Sequence, residues 1–284
     1  MKSFYVSLLI IISLSFLVGC SKDDITSPTN SAYNNASASK GGIMFDKFWS
    51  LESGFDQTNT NIAKFNAAAD FFRCKQCHGW DLKGNTGAYI NRKAKTSRPN
   101  VSGLNLYQIG QTKTSQELFD AMKKATGRRD ISYDLTTYDP ATNNATGDQM
   151  PNFSQILTDA QIWDLVKFLK EGAFDVEQLY DATTTGTYPT GTFSIANVGR
   201  DGNAASGKTY FAAQCAMCHG AEGKTIPVEA MSVGQFTRKK ANEVQHKVKY
   251  GALGSSMSGH FDISLSQTKD LYKALADTTA FPDL

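Results

Sequence analysis

Two short segments carry cysteine and histidine in one arrangement: Cys74-Lys75-Gln76-Cys77-His78 and Cys215-Ala216-Met217-Cys218-His219. C-x-x-C-H is the attachment signature of c-type haem. The spacing follows from the chemistry. Two thiols must reach the two vinyl groups on one edge of a porphyrin, and the next residue must turn an imidazole under the iron as its proximal ligand. Each motif is followed by glycine, Gly79 and Gly220, and the repetition argues against coincidence. Cys74, Cys77, Cys215 and Cys218 are therefore expected to hold two covalent haems c, with His78 and His219 on the irons.

Each iron also needs a sixth ligand or an open site. Thioether sulfur suits haem iron, and His/Met ligation raises its potential. Met150 precedes Pro151 and Phe153 and stands just before a capped helix. Met257 has the same place in the second half, but Ser258 stands where Met150 has its proline. There His260, three residues on, and His246 on the preceding helix remain alternatives, as does an open position. Both histidines also read as solvated surface, His246 especially, since it falls among Gln245, Lys247 and Lys249. Met44, Met122, Met217 and Met231 are weaker candidates; Met217 lies inside the haem loop and cannot swing to the far side.

The elements that must position these groups occur twice. In each half a helix leads into C-x-x-C-H, followed by a loop, a middle helix, a methionine and a closing helix. Thr158-Asp159-Ala160-Gln161 and Ser264-Leu265-Ser266-Gln267 are capping boxes, in which side chains at both ends satisfy orphan amides. Ile162, Leu165, Val166 and Leu169, and then Leu271 and Leu275, follow at helical spacing. Gly172 reads as a left-handed cap at the end of the first closing helix. A further box, Thr114-Ser115-Gln116-Glu117, opens a middle helix that buries Leu118, Phe119 and Met122 and stops at Gly127. Its counterpart runs over residues 241–250, with Val244 and Val248 on one face and Gly251 after it.

This plan resembles the small class I cytochrome c domain, present here in tandem over about residues 43–175 and 204–284. The resemblance implies a mainly α fold with one covalent haem per domain, and the axial pairs His78/Met150 and His219/Met257. The first half departs from the compact form, with 71 residues between His78 and Met150 against 37 between His219 and Met257. It also places Phe71 and Phe72 nearer the first cysteine than Tyr210 and Phe211 are to theirs. How its N-terminal helix meets the closing helix is left open.

The fifth cysteine, Cys20, follows Leu17-Val18-Gly19 after a charged start and an apolar stretch, which reads as an export signal over residues 1–19. The position resembles the lipobox of bacterial lipoproteins, where such a cysteine is acylated. The expectation is an exported protein, lipid-anchored through Cys20 to a bacterial membrane and facing the periplasm or the cell surface. Residues 20–42, poor in large apolar side chains, read as a disordered tether, and residues 176–203 as a linker rich in turn formers.

The 284 residues carry a net charge of +2, which argues against a nucleic-acid partner. A basic stretch over residues 83–113, with Lys83, Arg92, Lys93, Lys95, Arg98 and Lys113, suits docking to an acidic protein or a solvated loop near haem propionates. The function expected is relay of single electrons to redox proteins or to a membrane or surface complex. An enzyme using an open haem, or the electron-accepting subunit of a larger dehydrogenase, remains the alternative.

Overall fold

The computed structural model describes residues 28–142 and 150–284. Cys20 and the export signal lie outside the described residues, as do Asn143 and Asp148. In the first half, helices α1 (Pro28–Asn35), α2 (Ala38–Lys47), α3 (Ile62–Ala67), α4 (Ala69–Phe72) and α5 (Cys74–His78) precede the long loop. Then come α6 (Leu106–Thr112), α7 (Ser115–Lys123) and α8 (Asp159–Lys167), the last continued by a π turn over Phe168–Gly172. A hairpin of β1 (Asp181–Thr185) and antiparallel β2 (Thr192–Ala196) joins the halves. The second half is α9 (Ala204–Gln214), α10 (Ala216–His219), α11 (Val233–Lys239), α12 (Ala241–Tyr250) and α13 (Leu265–Ala276).

All three capping boxes form. Thr114, Thr158 and Ser264 each accept the N3 amide, while Glu117, Gln161 and Gln267 return the bond to the cap residue's own N–H. These contacts span three residues, so local sequence suffices to set them.

The crossing of first and last helix is built alike in both halves, from different stretches of sequence. In the second half Gly207 of α9 lies against α13, where an added Cβ would fall 1.9 Å from the Asp270 carbonyl oxygen. In the first half Gly41 of α2 lies against α8, its Cβ position 2.0 Å from the Asp164 carbonyl oxygen. The helix that meets the closing helix is thus α2, well upstream of the haem motif. The stretch read as a helix entering the motif is two short helices, α3 and α4, broken at Ala68. Arg73 ties this stretch to α2 by bonding the Asp46 carboxylate and, at 2.8 Å, the Asp46 carbonyl.

This places helix where a disordered tether was expected. Residues 28–35 form α1, and residues 38–42 open α2 with Ala38, Gly41 and Gly42 buried. Their low hydrophobicity misleads because small residues are what a close helix crossing requires. Gly172 is corrected too: it has no positive φ and is not a left-handed cap. It is small because a Cβ would meet Phe168 at 2.7 Å and the Tyr250 hydroxyl at 2.8 Å.

The residues read as a linker are packed. Val176, Leu179 and Tyr180 are buried in the second core with Phe211, Leu271 and Tyr272. The hairpin carries Tyr188 back to the long loop of the first half. There its hydroxyl donates toward the Arg92 carbonyl and Asn100 Oδ1 and accepts from the Val101 amide. That loop has a small core of its own, Trp80, Tyr89 and Val101.

Candidate functional site

Each C-x-x-C-H segment forms a single helical turn closed by glycine in the left-handed region, Gly79 at φ 76° and Gly220 at φ 74°. Only glycine takes this conformation without strain. It turns the chain sharply after each histidine.

In the first half, Cys74, Cys77, His78 and Met150 line one cavity of about 620 Å³, walled by Phe71, Phe72, Val101, Leu104 and Phe153. Met150 arrives from far along the chain and is held by backbone. The Arg129 amide donates to the Met150 carbonyl at 2.9 Å, and the Asn152 amide to the Arg129 carbonyl at 2.8 Å. Burial, with a smaller contribution from Arg128, lowers the His78 pKa to about 4, so the imidazole is neutral at physiological pH and its lone pair is available. Burial pushes Cys74 up to about 12 and Cys77 up to about 11. They are neutral thiols inside an apolar wall.

The second half brings together part of the set on a smaller scale, for Cys218 is exposed and does not line the cavity. Cys215, His219 and Met257 line a cavity of about 50 Å³ with Phe211, Val244, Val248, Leu271 and Leu275 among its walls. His219 Nδ1 lies 2.7 Å from the Ile226 carbonyl. A carbonyl only accepts, so the proton is on Nδ1 and Nε2 keeps its lone pair for a metal. The Met257 loop is closed by the Ala252 amide on the Met257 carbonyl at 3.1 Å and the His260 amide on the Val248 carbonyl at 2.8 Å.

Neither alternative ligand lines that cavity. His260 lies beside Tyr210, with ring centroids 6.2 Å apart. His246, read as solvated surface, is 3 % exposed and sits among Phe45, Trp80, Phe168 and Tyr250. The charged neighbours in sequence misled because α12 is covered on two sides. Val244 and Val248 face the second cavity, while His246 and Tyr250 enter the first half. Met44 is buried in the first core, Met231 packs on the second, and Met217 is 95 % exposed.

The basic stretch is partly consumed inside the fold. Lys83 pairs with Glu177, Arg92 bonds Gln76, and Arg98 is fully buried, donating to the Pro99 and Lys93 carbonyls. Sequence reasoning also missed Arg128, which lines the first cavity with its Nε buried and without a hydrogen-bond partner, and Tyr188, which closes the same cavity from the hairpin.

Among the described residues no group of three or more His, Cys, Asp or Glu is placed to hold a bare metal ion. What the cavities offer instead is one imidazole, one thioether, cysteine and apolar walls. This donor set suits an iron whose other four ligands come from a porphyrin. The first cavity also has room for a bulky group, and the basic side chain of Arg128 on its wall suits a polar, anionic edge.

A helical domain closed over C-x-x-C-H, with a methionine on the cavity wall, is the architecture of a c-type cytochrome. The Cytochrome c family matches residues 65–173 and 204–275, more than half of the chain. The chain belongs to that family, with two such domains in tandem. No curated protein and no solved structure matches it. Family membership brings covalent haem c and electron transfer.

Proposed function

We propose that this protein carries two haems c and relays single electrons outside the cytoplasm. Haem attaches at Cys74 and Cys77, and at Cys215 and Cys218. His78 with Met150, and His219 with Met257, would ligate the two irons. Bound haem supplies an iron that cycles between ferric and ferrous states. The chain's own residues fix its ligands, bury it among aromatic and aliphatic side chains, and so set its potential. The observation that carries the reading is the convergence of Cys74, Cys77, His78 and Met150, drawn from positions up to 76 residues apart in the chain, on one apolar cavity.

With two protein ligands for each iron, no vacant place would be left for substrate, which favours relay over turnover. The lipid anchor on Cys20 and the export signal complete the proposal. They would hold the domains at a bacterial membrane, facing the periplasm or the cell surface, within reach of redox proteins or a membrane complex.

The test is direct. The denatured protein should keep its haem stain and show a mass increase of two haems; free haem in acidified acetone would refute the covalent claim. The oxidised holoprotein should be low-spin and consume peroxide no faster than a generic six-coordinate cytochrome. A high-spin haem with robust peroxide turnover would make it an enzyme. Cys20→Ser should release the protein from membranes or stop its processing, and a mature N-terminus elsewhere would end the lipoprotein proposal.

A further inference from the structure

At the joint between the halves, the turn that follows the first C-x-x-C-H segment meets α12, which walls the second cavity. Trp80 follows His78 by two residues. His246 lies on α12 between Val244 and Lys247, which line the second cavity with Val248. The Trp80 and His246 rings are in contact, with centroids 4.6 Å apart and planes at 53°. Phe45, Phe168 and Tyr250 pack round the imidazole. The joint is braced on both sides. Gln245 exchanges two bonds with the Phe174 backbone at 2.9 and 3.0 Å, and the Tyr250 hydroxyl donates to the Gly172 carbonyl at 2.5 Å.

In this joint the imidazole serves as a packed ring. Its Nε2 is buried without a partner, and an unsatisfied buried polar atom is destabilising. Phenylalanine would fill the same aromatic nest without that cost. Two cations lie on the Trp80 ring, Lys75 Nζ at 3.6 Å and Lys247 Nζ at 5.5 Å from its centroid. Positive charge over the ring face withdraws its electron density and makes the indole harder to oxidise.

We infer that the Trp80–His246 contact is the route by which the two haem centres exchange electrons within the molecule. This rests on the two-haem reading above. Electron tunnelling weakens steeply with distance and with gaps between atoms, and this contact is the close-packed path from the residue after Gly79 to the wall of the second cavity. The step is a one-electron exchange. The reduced centre is oxidised, the oxidised centre is reduced, no bond breaks and no proton moves. The two rings lend their orbitals and end as they began, since the cations keep Trp80 from being oxidised itself.

The test uses the half-reduced holoprotein. Haem content and both potentials are read first, and failure there overturns the two-haem reading rather than this one. The exchange rate is then read by NMR from exchange between the paramagnetically shifted haem-methyl resonances of the two centres. Wild type should show exchange independent of protein concentration. Trp80→Leu and His246→Leu should each lose it with both potentials unchanged, whereas His246→Phe, which keeps a ring in the nest, should retain it. Wild type with two normal haems and only concentration-dependent exchange would overturn the inference, whether or not the leucine variants fold. So would leucine variants, or a well-folded Trp80→Ala, that exchange as fast as wild type.

Discussion

At the residue scale, chemistry is concentrated in groups that are otherwise inert. Cys74, Cys77 and Cys215 are thiols held neutral by burial. Met150 and Met257 are thioethers on cavity walls. Their proposed value lies in placement, and it can be tested one side chain at a time. Met150→Ala and Met257→Ala should each remove part of the weak far-red methionine-to-iron band of the oxidised protein and lower one potential, because thioether ligation favours the ferrous state. Redox titration with near-infrared absorption checks both. If Met257→Ala changes neither quantity, another residue ligates the second iron. Arg128 extends the same logic. The residue lines the first cavity, where its positive charge disfavours the ferric state, so Arg128→Gln should lower the potential of that haem alone. A variant titration that matches wild type would show that the guanidinium does not face the haem.

At the element scale, the two halves share a construction that depends on backbone proximity. Gly41 and Gly207 let the first helix of each half lie directly on the closing helix. Gly207→Ala should force α9 off α13, and Gly41→Ala should force α2 off α8. Overpacking of this kind costs about 1–3 kcal/mol, read as a lowered urea midpoint with the haem spectrum retained at low denaturant. An unchanged midpoint for either variant would mean the crossing relaxes freely. The brace at the joint is equally testable. Gln245→Ala strips both partners from the Phe174 amide and carbonyl, and should destabilise by about 1–3 kcal/mol for each group left buried.

At the scale of the whole molecule, the buried joint makes stability depend on acid. Burial depresses the His246 pKa from 6.5 to about 3, with Asp46 acting against it and Lys75, Lys247 and Arg73 acting with it. The unfolded chain therefore takes up a proton below about pH 6.5 that the folded protein refuses. Stability from this group is fully present above pH 6.5 and is lost progressively as pH falls toward 3. Asp46 adds to the loss at lower pH: burial alone would raise its pKa, but Lys75 and Arg73 outweigh that and hold it below the usual carboxylate value. His246→Phe should flatten the acid limb between pH 6.5 and 4 while leaving the Asp46 contribution. Urea unfolding across that range measures both, and an equally steep limb in the variant would place the sensitivity elsewhere.

The same three scales separate what sequence alone determines from what tertiary structure decides. The haem motifs, their closing glycines and the capping boxes are legible because each is complete within about five residues: a loop of fixed reach, a positive φ, an amide three positions away. The doubled helical plan is legible because apolar spacing repeats. The role of Gly41 is not, because its partner is the carbonyl of Asp164. Low hydrophobicity makes residues 28–42 look like a tether until α8 is set beside them. Likewise the turn-rich stretch over residues 176–203 looks like a linker until Tyr188 reaches Asn100 and Val101 across nearly ninety residues. His246 is the sharpest case. Its neighbours Gln245, Lys247 and Lys249 announce a wet surface, yet the other domain covers it. Burial is a property of what packs against a side chain, and for α12 that is a helix about two hundred residues away in the chain.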